Sequence, residues 1–310
     1  MDLSLYKVIR IPKKGGFRMI HAPCDELKEK QRQFLANEVR AKWRWPRGIT
    51  AFLPRRSIVD AARPHVGKRY LVHLDIKDFF HHVTKAHVVK AMAFDKMTMR
   101  ELETRAMPLA GMDWRRINPP VGLLDIAFIP SPKVPGEQCL PQGGPLSPHL
   151  SLLASKAIYF KTLRMFRRRG IDVSVTMYAD GIFISSNDKR VMPMGTRGVQ
   201  AILRSERFEA NPSKTRITTQ AFRQKVCGLV VNRKLAIPKK KRREIRARVH
   251  NLYMDKVSGK EIDKEELLYL EGFLAFATSV DKTWAERHKK KILLIRAGKP
   301  AGEVDPGPVK

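Results

Sequence analysis

Two aspartates combine a residue type and a setting that could carry chemistry. Asp75 closes the apolar run Tyr70-Leu71-Val72-His73-Leu74 and opens Ile76-Lys77-Asp78-Phe79-Phe80. Asp180 lies in Tyr178-Ala179-Asp180-Gly181, with Asp-Gly between two apolar segments, 173–178 and 182–185. Asp-Gly flanked by such segments is a strong hairpin signal, with Gly181 expected at positive φ. A carboxylate at the end of a buried strand is costly unless it is paired or bound to a metal. Two of them on adjacent strands suit a hard cation shared with substrate phosphates. Two such ions about 4 Å apart stabilise the attacking and leaving oxygens of an in-line phosphoryl transfer. Taken singly, each aspartate has a plainer reading, Asp180 as a turn residue and Asp75 as a strand terminator or helix cap. A third segment, Leu140-Pro141-Gln142-Gly143-Gly144-Pro145-Leu146-Ser147-Pro148, leads into a helix. Its glycines let a backbone come close to a flat ligand, Gln142 supplies an amide, and Ser147 is placed to cap the helix that Pro148 starts.

The elements that must position these residues follow from periodicity and punctuation. A hairpin is expected over 6–21, turning at Lys13-Lys14-Gly15-Gly16. Helical spacing runs over 25–43, and a short helix is expected at 57–66. Residues 70–74 read as a buried strand, and a helical stretch follows from about 84. Residues 108–141 read as loop with a possible strand at 126–129, and 148–168 as a long helix. Helix is expected at 195–208, with strands at 216–219 and 225–231. Beyond Ile237-Pro238 the composition shifts, and Lys239-Lys240-Lys241-Arg242-Arg243 opens a helix whose stripe is Ile245, Val249, Leu252 and Tyr253. Further helices are expected at 265–279 and 282–297, then a loose tail.

Charge narrows the function classes. Among the 310 residues, 61 Lys and Arg face 30 Asp and Glu, a net charge of +31. A polyanion relieves such self-repulsion, and nucleic acid does so with release of counterions. No stretch approaches the roughly 20 apolar residues of a membrane span. No signal peptide is expected. Cys24, Cys139 and Cys227 follow no CxxC spacing, which fits a reducing cytoplasm and neither a zinc cluster nor a disulfide framework.

In order along the chain, strand-Asp-x-x-Asp-Phe-Phe, Leu-Pro-Gln-Gly-x-Pro-x-Ser-Pro and Tyr-Ala-Asp resemble motifs A, B and C of reverse transcriptases. The wider chain is similar to bacterial retron reverse transcriptases. Asp60-Ala61 with His65 resembles their Asn- and His-bearing element, with Asp60 in place of Asn. Val226-Cys227-Gly228-Leu229 resembles their Val-Thr-Gly-Leu segment, Asn211-Pro212-Ser213-Lys214-Thr215 their motif D, and 237–295 their basic thumb. The resemblance implies an α+β fold of right-hand polymerase architecture. Fingers would span 1–69, the palm strand with motif A 70–83, a fingers–palm connection 84–139, the palm with motifs B, C and D 140–236, the helical thumb 237–297 and a tail 298–310.

The resemblance also implies roles. Asp75 and Asp180 would hold two Mg²⁺ ions with the backbone carbonyl of Ile76, and Lys214 would join them as a proton donor to pyrophosphate. Phe80 would be the steric gate against a ribose 2′-OH, and Asp78, Phe79, Gln142 and Gly143 would adjoin the incoming dNTP. Lys14 and Arg18 would clamp its triphosphate. Tyr178, Lys239, Lys240, Lys241, Arg242, Arg243, Lys289, Lys290 and Lys291 would contact nucleic acid. The implied partners are a structured non-coding RNA serving as template and primer, its cDNA product, dNTPs and a separate effector protein. Priming from a 2′-OH would give branched RNA–DNA in an anti-phage system. One departure stands out: reverse transcriptases carry Tyr-x-Asp-Asp, and Gly181 takes the second Asp position. An active but Mg²⁺-hungry enzyme and an inactive RNA-binding scaffold both remain open on that ground, with a group II intron-like enzyme as a third reading.

Overall fold

The computed structural model describes residues 3–13, 16–40, 43–95 and 127–297. At its centre is a four-stranded antiparallel sheet in the order β6-β7-β3-β8. Its strands are β3 (Tyr70–Asp75), β6 (Ser174–Tyr178), β7 (Gly181–Ser186) and β8 (Arg216–Thr219). The register pairs Asp75 with Gly181, His73 with Phe183 and Leu71 with Ser185 across β3 and β7. Alternation then sorts the side chains. Val72, Leu74, Ile182, Ile184, Val175 and Met177 face the long helix Ser147–Arg167 and form the main core with its Leu150, Leu153 and Ile158. Both faces of β3 are covered along most of its length, which is why its sequence is a continuous apolar run rather than an alternating one.

On the opposite face, Leu71 and Phe183 pack under Val59, Ala61 and Ala62 of the short helix Ile58–Ala62 and under Val226 and Leu229. Ser57 and Asp60 close a capping box at that helix. His65 follows it and is fully buried, bonded to Ser185 Oγ and Thr176 Oγ1 at 2.7 Å each. Burial pushes its imidazole down to about 3. Asp75, Gly181 and Tyr178 share the end of this sheet face, Asp75 and Gly181 buried and Tyr178 half-buried against the cover.

A separate hairpin, β1 (Tyr6–Lys13) and β2 (Gly16–Pro23), stands apart from the sheet. β1 runs two residues further toward the turn than the sequence implied, and β2 starts one residue earlier and ends two later. Two two-residue strands, β4 (Ile129–Pro130) and β5 (Gln138–Cys139), flank the expected loop. The C-terminal lobe is three helices, Lys239–Val257, Lys264–Thr278 and Lys282–Ala297, packed through Ile245, Val249, Leu270, Leu274 and Ile292. Among the described residues, no helix is long and apolar enough to cross a membrane.

Several local expectations change. The hairpin centre is Ala179-Asp180, because Tyr178 pairs with Gly181; Ala179 takes the positive φ of 54° and Gly181 is an ordinary strand residue. The strand expected over 225–231 folds into a hairpin of β9 (Lys225–Val226) and β10 (Leu229–Val230), turning at Cys227 and Gly228. Ser147 lies inside the long helix rather than capping it, since the cap position falls on Leu146 with no side-chain bond. Helix 25–43 is Asp25–Phe34 continued by a π-helical segment, Leu35–Arg40. Residues 96–126 of the expected connection and the tail 298–310 lie outside the described residues.

Behind the sheet, the carboxylate of Glu206 is 3% exposed and paired with Lys90 Nζ at 2.9 Å and with Lys161 Nζ. Burial pushes its carboxyl up, but hydrogen bonds and charge from Lys161 and Lys90 hold it below the usual range. A folded-state value below the unfolded one stabilises the fold above the unfolded pKa and loses that contribution as pH falls through the folded pKa. Glu206→Gln removes the partner of two half-buried ammonium groups. Because those lysines keep some contact with water, the expected cost is about 2 kcal/mol rather than the 3–5 of a fully buried pair. Thermal unfolding followed by circular dichroism should show a lower midpoint for the variant at pH 7. The gap should narrow as pH falls below about 4.3, and a gap that is constant with pH would refute the charge assignment.

Candidate active site

Backbone hydrogen bonds gather three segments at the strand ends. Ile76 N donates to Asp180 O at 2.9 Å, Asn211 N donates to Asp75 O at 2.6 Å, and Lys77 N donates to Glu209 O at 2.9 Å. Asp75 is therefore fixed between the β6–β7 turn and the segment that precedes β8. Its carboxylate is 10% exposed, and Lys214 Nζ donates to both oxygens, at 2.9 and 3.0 Å. Burial, then the charge of Asp75, raises the pKa of Asp180, against the pull of Lys214 and Arg18. The hydrogen bond to Asp75 raises that of Lys214. The constellation is thus the Asp75 carboxylate bound by Lys214, and near it the carboxylate of Asp180, on which the charges of Asp75, Lys214 and Arg18 act. Two non-glycine residues at positive φ bracket it, Asp78 at 45° and Ala179 at 54°. Such strained positions persist only where the surroundings hold them.

A divalent cation fits this donor set. A like-charged carboxylate pair with one raised pKa gains from an ion that neutralises both groups. Among the described residues no cluster of three or more His, Cys, Asp or Glu side chains gathers. Two carboxylates and a backbone carbonyl are enough for an ion that takes its remaining ligands from water and phosphate. The third carboxylate is missing because Gly181, directly across from Asp75, has no side chain.

The other expected residues fall into two groups. Arg18 reaches the site because β2 is fastened to the glycine-rich loop, with His21 N donating to Gln142 O at 2.6 Å. Phe80 is half-buried, edge-on to Phe52 and Phe79 with ring centroids 6.4 and 5.9 Å away. Tyr178 is half-buried beside Asp180, and Gln142 keeps a partly open side chain. Lys14 lies outside the described residues.

Three expectations are corrected. Phe79 is 3% exposed and packs on Phe208 in the core, so it presents no face to a nucleotide. Gly143, at φ 123°, makes room for protein: a Cβ there would meet Ile20 Cγ2 at 2.7 Å and His21 O at 2.9 Å, so its lack of a side chain answers to β2. Asp78 points to Lys133, 3.4 Å away, across the β4–β5 loop. In the C-terminal lobe, Lys241 is bound to Glu244 and to Tyr269 Oη at 2.8 Å. Lys291 lies over the ring of Tyr253 at 5.6 Å, Lys240 and Lys290 are exposed, and Lys289 is half-buried.

One feature escaped sequence reasoning. His73 stacks on Phe183 with centroids 4.4 Å apart and planes at 8°. This pair sits one step behind Asp75 and Gly181 on the same face, and its only sequence signal is a histidine two residues before an aspartate.

The reverse transcriptase (RNA-dependent DNA polymerase) family matches residues 11–245. The retron Mx65 reverse transcriptase of Myxococcus xanthus is 32% identical over 306 residues, covering 96% of this chain and 65% of that one. The retron Ec86 reverse transcriptase of Escherichia coli is 26% identical over 294 residues, covering 94% of this chain and 80% of that one. The chain thus spans about two thirds of the length of the Mx65 enzyme. Among solved structures, telomerase from Candida albicans in complex with a fragment of telomeric RNA aligns over 92% of this chain and 56% of its own. Its TM-score is 0.49 and its identity 12%. A foamy viral protease–reverse transcriptase in complex with double-stranded DNA aligns over 95% and 40%, with a TM-score of 0.48 and 14% identity.

The place of Gly181 changes what Gly181→Asp should do. A Cβ there would meet Phe183 at 3.2 Å and Tyr178 O at 3.3 Å, so the Phe183 ring must shift against His73. The new carboxylate would also join two others. In chelator the variant should unfold at a lower temperature than the parent, by the equivalent of about 1–2 kcal/mol. Divalent cation should recover more of the midpoint in the variant than in the parent, because binding to the folded state alone stabilises it. Equal cation-induced shifts in both proteins would mean that position 181 does not face the cation.

Proposed function

The chain belongs to the reverse transcriptase (RNA-dependent DNA polymerase) family, and on that premise we propose that it copies a structured non-coding RNA into DNA as retron enzymes do. The observation that carries this reading is the pair of carboxylates Asp75, at the end of β3, and Asp180, in the β6–β7 turn, with Lys214 on Asp75 and the charge of Arg18 acting on Asp180. Similarity to retron reverse transcriptases along nearly the whole chain supports the subgroup. In this reading the hairpin and the helices after it act as fingers, the sheet as palm and the three C-terminal helices as thumb. Synthesis starts from a 2′-OH of the same RNA and gives a branched RNA–DNA product, in a cytoplasmic anti-phage system with a separate effector protein.

The residues divide the work as follows. Asp75, Asp180 and the Ile76 carbonyl hold Mg²⁺, which when bound draws together the attacking and leaving oxygens of phosphoryl transfer. Arg18 binds the triphosphate from the hairpin. Lys214 exchanges its bond to Asp75 for the phosphates and holds the proton that the leaving pyrophosphate needs. Phe80, half-buried where Phe79 is in the core, closes the space beside the sugar's 2′ carbon. An RNA-binding scaffold without synthesis is the second reading, and Gly181 is the observation that favours it.

Primer extension on a primed RNA template with dNTPs and Mg²⁺ tests the first reading. Asp75→Ala should abolish extension and leave RNA binding nearly intact, since one carboxylate contributes little to a surface of net charge +31. Extension by the variant at the parent's rate would place the metal site elsewhere. Tight RNA binding with no extension by the parent at any Mg²⁺ concentration would favour the scaffold.

Sugar choice has its own measure. Phe80→Ala should raise NTP over dNTP incorporation at least about tenfold, equivalent to about 1.4 kcal/mol of discrimination. An unchanged ratio would exclude Phe80 as the gate.

A further inference from the structure

The segment that runs along the outer edge of β6 carries two side chains in a backbone conformation that neither favours. Phe52 and Arg55 both take φ 59°. A bulky aromatic residue in the left-handed region is a true outlier, and Gly or Asn would hold the same turn with less strain. The segment itself is firmly held. Thr50 N donates to Met177 O at 3.0 Å, Met177 N donates to Gly48 O at 2.7 Å, and Ile49 is fully buried beside the strand. The Arg56 guanidinium ties the loop to itself, donating to Trp45 O at 2.9 Å, to Pro46 O at 2.5 Å and to Ile49 O. Ala51 and Leu53 are buried, whereas Phe52 between them is 40% exposed. The strained turn thus sends its two apolar neighbours into the protein and the one large ring out of it.

Strain that survives because the surroundings impose it concentrates at functional sites. Here the ring emerges beside Phe80. Their centroids are 6.4 Å apart and their planes lie at 61°, so the two rings form a corner. One wall of that corner, Phe80, stands against the 2′ carbon of the incoming nucleotide. The 2′ carbon lies on the minor-groove side of a base pair. The second wall, one ring's width away, runs along the minor-groove edge of the pair that the incoming nucleotide makes with the template. Correct pairs present there nearly the same row of N3 and O2 acceptors whatever the sequence. A mismatched pair displaces that row. A rigid apolar wall without hydrogen bonds of its own accepts every correct pair and obstructs a displaced one. We infer that Phe52 is a specificity-determining residue, which bears on the minor-groove edge of the new base pair and excludes mismatches. The inference rests on the polymerase reading, with Phe80 as gate, for the position of the pair, and on the strained, exposed ring for the role.

The test uses the full chain with two variants. Phe52→Gly removes the ring, and Arg55→Gly relieves the same backbone strain in the same loop while leaving the ring in place. Single-nucleotide extension of a primed RNA template gives two ratios of kcat/KM for each protein, mismatched over matched dNTP and NTP over dNTP. Phe52→Gly should raise the mismatch ratio at least about tenfold, the low end of what one apolar contact discriminates, and move the sugar ratio less than about threefold. Arg55→Gly should move neither by more than about threefold. The thermal midpoint of Phe52→Gly should stay close to the parent's, since relief of strain offsets the freedom that glycine gains on unfolding. An unchanged mismatch ratio would overturn the inference. An equal rise in Arg55→Gly would also overturn it, because loop rigidity would then be the cause. A sugar ratio that moves with the mismatch ratio would reduce Phe52 to a prop for Phe80. A dideoxy-terminated primer removes chemistry from the comparison. On it the parent should hold the next complementary dNTP at least about tenfold more tightly than a noncomplementary one, and Phe52→Gly should narrow that gap. Such a gap in a parent that extends nothing would leave this role standing while the polymerase reading fails. A parent that extends, with a gap that Phe52→Gly shares in full, would remove this role alone.

Discussion

Two carboxylates held near one another repel each other, and that repulsion is the constraint on which the arrangement depends. Asp75 ends a strand, and Asp180 sits in the two-residue turn between two more, whose register is fixed by buried side chains, so neither can retreat. Backbone hydrogen bonds from Ile76 and Asn211 close the remaining freedom. Positive charge answers the repulsion, from Lys214 on both oxygens of Asp75 and from Arg18 at longer range. The strain at Ala179 and Asp78 fits the same picture, as the backbone is bent where it must place charge rather than where it would relax. A site assembled against repulsion is ready for a divalent cation before one arrives.

How far this could be read from sequence varied with how local the information was. Asp75 was legible because a strand buried on both faces spells an unbroken apolar run with a charge at its end. The first helix of the C-terminal lobe was legible because its stripe repeats at helical spacing, and the buried Ile245, Val249 and Leu252 follow it. The β6–β7 turn was misplaced by one residue. Asp-Gly is the chemistry a tight turn prefers, but the run 181–186 is fully buried and its register with β3 decides the matter. A one-residue slip would send Ile182 and Ile184 to the wrong face.

Non-local facts were out of reach. Adjacent Phe79 and Phe80 look alike in sequence, and only the packing of Phe208 and Phe52 separates a core ring from a half-open one. Glycines announce that something approaches closely, without saying what. At Gly143 the visitor is β2, so the loop read as a ligand cradle is also the socket of the hairpin. The His73–Phe183 stack joins residues 110 positions apart and leaves no trace in either segment.

The socket has a mechanical side. β1 and β2 form a ribbon seated at its base by Tyr6 among Leu27, Ile129 and Cys139 and joined to the glycine-rich loop at His21, with Val8, Ile11 and Phe17 exposed further out. Arg18 lies three residues out from that joint, about 10 Å along a strand. A rotation of only about 10° at His21 therefore carries the guanidinium through nearly ~2 Å, the difference between a direct contact and one bridged by water. The ribbon is a lever with its fulcrum on the Gln142 carbonyl. Polar atoms at that fulcrum thereby set how closely a distant cation meets its anion, although they touch neither.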